Sequence, residues 1–120
     1  MFGSAADKRK KKLGQQVATF TLAVKAGQQM SDKGMMDQAQ ADAGMFSAAS
    51  DLAPIVGPMV QEGQRADVEV ALNRCIADAA GQPYEAALVR TLTQFRDSLL
   101  EQHGAEFGPL NKTAEWRRPS

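Results

Sequence analysis

An all-α fold follows from three features of the sequence. Apolar residues recur at helical spacing, glycines and prolines divide the chain into helix-length pieces, and no stretch alternates apolar and polar residues convincingly. The architecture expected is an antiparallel bundle of about four main helices, with a short kinked helix after the second and partly disordered termini. At 120 residues the chain suits a single domain. Its expected division is a basic, flexible segment over 1–12, a helical bundle over 13–104 and a partly ordered tail over 105–120.

The first helix is expected from Asp7 to about Gln29, because Leu13, Val17, Phe20 and Val24 recur in steps of four, three and four. Gly27 and the Ser31-Asp32 pair mark its end. The second helix places Met35, Ala39, Ala43, Phe46 and Ala49 or Ser50 along one stripe. It stops before Pro54, since the residue ahead of a proline is pushed out of the helical region. Gly34 and Gly44 fall inside this span, each costing up to about 1 kcal/mol relative to alanine.

From Pro54 to Gly63, Ile55-Val56 and Met59-Val60 are interrupted by Gly57-Pro58, which predicts one or two helical turns with a kink. A long helix follows from about Gln64 to Ala80, with Val68, Leu72, Cys75, Ile76 and Ala79 on one side and Gly81 as its stop. The last helix has Pro83 and Glu85 at its first turn. Tyr84, Leu88, Leu92, Phe95 and Leu99 form its stripe, and His103-Gly104 closes it. Beyond it, Phe107, Leu110 and Trp116 stand among polar residues, a pattern that predicts partial docking of the tail.

Composition limits the chemistry. A lone Cys75 excludes an intramolecular disulfide framework and a multi-thiolate metal site. A lone His103 excludes clustered imidazole ligands. Asp32, Asp37 and Asp42 recur every five residues, which spreads carboxylates around a helix instead of gathering them, and no phosphate-cradling glycine loop occurs. Cys75 lies on an apolar stripe, where a thiol behaves as a small hydrophobe. No catalytic residue, metal ligand or cofactor is therefore expected, and the chain is not read as an enzyme. No run is apolar enough to span a membrane. Gln15 and Gln16 break the only stretch resembling an export signal, so a cytoplasmic protein with a reduced thiol is expected.

Formal net charge is zero, yet residues 1–25 carry six bases against one acid while the middle of the chain is acidic. Lys8, Arg9, Lys10, Lys11 and Lys12 are the candidate polyanion site, for nucleic acid or an anionic lipid surface. They precede Leu13, the first stripe position, and on that ground are expected to bury nothing.

Methionines are the second signal. Met30, Met35, Met36, Met45 and Met59 crowd the region poorest in Leu and Ile, and flexible thioethers accommodate partners of varied shape. Met35 and Met45 are read as core filling. Met30, Met36, Phe46, Met59 and Val60 are the candidate partner interface, because an alanine-rich second helix stabilises a monomer poorly and favours a shared core. The functional expectation is a small non-enzymatic interaction or regulatory protein that forms a homodimer or binds another protein. The alternative is an accessory factor held to nucleic acid or membrane by residues 8–12.

Overall fold

The computed structural model describes residues 4–103, with side-chain environments through Ser98. The described residues form an all-α bundle without a strand, and no helix among them is long and apolar enough to cross a membrane.

Helix α1 (Ala5–Asp32) begins at Ser4, whose extended backbone lets its Oγ accept the Asp7 amide at 3.1 Å. That satisfies one of the amides a helix start leaves orphaned. Its buried residues are Leu13, Val17, Phe20 and Val24, the four positions set by the spacing. Lys8 to Lys12 lie within this helix. It also continues past Gly27, where a Cβ would stand 3.3 Å from Met45 Cε. The missing side chain lets the next helix close on it. Gly34, at φ 74°, ends α1, and the Met35 amide donates back to Met30 O at 2.9 Å. Gly34 thus terminates the first helix and is not part of the second.

Helix α2 (Gln38–Ser50) buries Ala41, Met45 and Ala49. The expected stripe is corrected accordingly. Met35 stands in the turn at 67% exposure, Ala39 and Ala43 are exposed, and Phe46 is half-buried. Met35 is therefore not core filling, whereas Met45 is. Alanine occurs on almost every face of this helix, so alanine spacing carries no phase. The long Met45 side chain sets it, seated between Gly27 and Thr91.

Helix α3 (Ala53–Gln61) is the short piece with Pro54 in its first turn and Pro58 inside. Helix α4 (Arg65–Asp78) buries Val68, Leu72, Cys75 and Ile76, and Gly81 follows it at φ 81°. Helix α5 (Glu85–His103) starts at Glu85, two residues beyond Pro83, with the Glu85 carboxylate accepting the Gly81 amide at 3.1 Å. Leu88, Leu92 and Phe95 of its expected stripe are buried. The side chains of Leu99 and His103, and the tail with Phe107, Leu110 and Trp116, lie outside the described residues.

Polar pairs give the helix directions. Arg9 Nη1 donates to Gln64 Oε1 at 3.0 Å and Thr21 Oγ1 meets Cys75 Sγ at 3.3 Å, so α1 and α4 run parallel. Arg90 reaches Asp42 at 2.9 Å and Thr91 Oγ1 lies 3.9 Å from Met45 Sδ, so α2 and α5 also run parallel. The chain itself goes up along α1, down α2 and α3, up α4 and down α5. Helix α3 touches both α1 and α4, and Gln64 in the joint after it meets Arg9 and Ala6 at the start of α1, so α4 sets out alongside α1. One core, including Phe20, Met45, Met59, Leu72 and Phe95, lies between them.

Candidate functional site

The candidate residues named by sequence do not form one site. Lys8, Lys10, Lys11 and Lys12 are exposed along the first turns of α1. Arg9 differs from them in being half-buried, with its guanidinium donating to Gln64. Gln64 is only 7% exposed and also donates from Nε2 to Ala6 O at 3.1 Å and to Asp67 Oδ2 at 3.2 Å. The expectation that the basic run buries nothing is thus corrected at Arg9, which fastens the start of α1 to the joint between α3 and α4.

The methionine interface is dispersed. Met59 is fully buried, because the bend into α3 turns it toward Val56 and the core instead of toward solvent. Met36, Phe46 and Val60 are partly buried against that core, and Met30 is at the surface with 36% exposure. No continuous face joins Met30 to Met59.

The structure instead opens a groove of about 690 Å³ between α1 and α4. Along α1 its wall is Lys10, Gly14, Ala18 and Leu22, spaced by four residues and so aligned on one side of the helix. Along α4 the wall is Val70, Ala71, Arg74 and Asp78. Leu13, Val17, Thr21 and Cys75 lie between the walls. Two large apolar residues stand at its rim in solvent, Leu22 at 66% and Val70 at 59% exposure. A Cβ at Gly14 would meet nothing within 4 Å, so the groove is open where the α1 wall is lowest.

Within it, burial pushes the Cys75 thiol above its ordinary pKa, and the Asp78 carboxylate adds to this while the Thr21 hydroxyl works against it. The thiol is thus kept protonated at neutral pH, the form that is a poor nucleophile. Among the described residues, no three His, Cys, Asp or Glu side chains gather as a metal site.

A second depression, of about 490 Å³, separates α2 from α5 on the other parallel pair. It is lined by Asp42, Ala43, Phe46, Gln94, Asp97 and Ser98. The Gln38 side-chain amide and the Arg90 guanidinium hold the Asp42 carboxyl below its usual range. Nearby on α5, the Arg96 guanidinium is buried and bonds Asp97 Oδ1 at 2.7 Å, with its Nη1 unpartnered among the described residues.

The pairing of α1 with α4 that forms the groove is not evident from the sequence, although a signal exists for its α1 wall. Lys10, Gly14, Ala18 and Leu22 make a second four-residue progression on α1, offset from the core stripe. Comparison with known proteins adds no relative: no protein-family model, curated protein or solved structure matches the chain.

Proposed function

We propose that this chain is a non-enzymatic helical interaction domain that receives an apolar-faced helix of a partner protein in the α1/α4 groove. The observation that carries this reading is the pair Leu22 and Val70, large side chains left in solvent on facing rims of an apolar groove. Isolated exposed apolar residues are ordinary, and these two support the reading only because they flank one concave surface. Gly14, Ala18 and Ala71 keep the walls low, so another backbone can approach closely. From Lys10 to Leu22 the α1 wall spans about 18 Å at 1.5 Å per residue, a length that a helix of about 16 residues covers.

The test is fluorescence anisotropy with a labelled amphipathic peptide of about 16 residues, leucine and alanine on one face and glutamine on the other. Saturable binding is expected, weakened at least about tenfold when Leu22→Glu and Val70→Glu are combined. Ala43→Glu, in the α2/α5 depression, should leave the affinity unchanged. Equal binding by all three proteins, with unchanged circular dichroism, would remove the groove from the reading.

A further inference from the structure

We infer that a second surface, separate from the groove, contacts the phosphates of a nucleic-acid duplex: the outward face of α1 formed by Lys8, Lys11 and Lys12. On a helix, residues three and four apart are neighbours, so Lys8 stands beside both of the others. All three are exposed, and none pairs with a carboxylate among the described residues. The other bases of the run are placed elsewhere. Arg9 is half-buried on Gln64, and Lys10 lines the groove together with Asp67. Asp7 is the one acid of α1 before Asp32, and it can offset only a single lysine.

This cluster costs the helix stability. Like charges three and four residues apart repel, and cations near a helix start oppose its dipole. The turns that carry them are nevertheless fixed, by the Ser4 cap on the Asp7 amide and by Gln64, which holds Arg9 and the Ala6 carbonyl. The fold therefore presents three cations from an ordered helix, and a row of anions against them would relieve their repulsion.

The neighbours of the lysines decide which anion fits. Gln15 and Thr19 continue the same face, both exposed and polar. An amphipathic helix seated in a lipid surface needs large apolar side chains beside its lysines. Those of α1 are in the core, apart from Leu22 and Met30, which stand about 15 and 27 Å beyond Lys12 along the axis. Single-strand binding uses aromatic rings to stack unpaired bases, and Phe20, the one aromatic of α1, is buried. What the face offers is charge for a phosphate backbone. The lysines fall within about 6 Å along the helix, and a duplex carries one negative charge per about 1.7 Å, so each lysine can meet a phosphate of its own. Such contacts carry no base-sequence information.

Fluorescence anisotropy of a labelled duplex of about 20 base pairs, titrated with the full chain, tests this. Binding is expected at about 0.05 M salt, and three phosphate contacts should make it about fortyfold weaker at about 0.2 M. Lys8→Gln, Lys11→Gln and Lys12→Gln combined should weaken it at least about tenfold at low salt and flatten the salt dependence. Lys25→Gln with Lys33→Gln, toward the other end of α1, should change it by no more than about twofold. Without DNA the triple variant should melt no lower than the native chain, because its lysines repel one another. No binding at low salt, equal weakening by both sets of substitutions, or a triple variant that melts several degrees lower overturns the proposal. Tighter binding to a single strand of the same length overturns it too. Tighter binding to phosphatidylserine vesicles would assign the lysines to lipid and has the same consequence.

Discussion

The α1/α4 and α2/α5 pairs are each two parallel helices over one core, but their outer seams are treated differently. Across α2/α5, Arg90 reaches Asp42 at 2.9 Å and Thr91 touches Met45 below it. Across α1/α4 the facing side chains are Gly14, Ala18 and Ala71, too short to meet, with Leu22 and Val70 standing apart in solvent. Polar contact between helices runs low in that groove, at Thr21 and Cys75, and at its end, at Arg9 and Gln64. Parallel direction alone therefore does not decide whether a seam is bridged. Both seams leave a depression, and only α2/α5 carries an ion pair across its rim.

The largest effect should come from the bridged side. Met45→Ala removes a fully buried side chain lodged between Gly27 and Thr91 and should cost about 2–5 kcal/mol in urea unfolding. Leu22→Ser on the open side should change stability by no more than about 0.5 kcal/mol. If both substitutions cost the same, the two seams are equally structural and the contrast fails.

An intermediate, pH-dependent effect belongs to the floor of the groove. Because the folded-state pKa of Cys75 is raised, its neutral thiol favours the folded state. That contribution is fully present below the unfolded thiol pKa and is lost as pH climbs through the raised folded value. Urea midpoints of the native chain should therefore fall relative to those of Cys75→Ala as pH rises past about 8.5, the ordinary thiol value. Parallel curves would show that Cys75 titrates as it does in solution.

The smallest effect is expected at the α2/α5 rim. Arg90 and Asp42 side chains are 46% and 41% exposed, so Arg90→Gln should cost about 0.2–1 kcal/mol at low salt and less at high salt. A salt-independent loss of several kcal/mol would mean the pair closes the seam by more than charge.

Most of the fold was legible in the sequence, for reasons that differ by helix. The buried stripes of α1, α4 and α5 rest on Leu, Val, Ile and Phe, whose spacing alone sets the phase. Helix α2 was misread because Ala39, Ala41, Ala43, Ala48 and Ala49 occupy several faces, and burial went to the face that carries Met45. Gly34 was read as a flaw inside a helix when its left-handed backbone ends one. The groove was invisible for a different reason. It exists because the α3–α4 joint sits at the start of α1 and lays α4 alongside it, a pairing that no local pattern in either helix encodes. Arg9 reads as one more base of a polyanion-binding run because its partner, Gln64, is 55 residues away.

That clasp at Gln64 also orders events in time. Its bonds to Arg9 and Ala6 join residues 55 and 58 apart, so closing it confines a long stretch of chain and is rewarded only after α1, α2 and α3 are already laid down. The first turns of α1 should accordingly find their place late in folding and be the first to leave. In stopped-flow experiments Gln64→Ala should steepen nothing on the folding limb, leaving that rate nearly unchanged, while unfolding accelerates about tenfold. Slower folding with an unaltered unfolding rate would place the clasp in the folding nucleus instead.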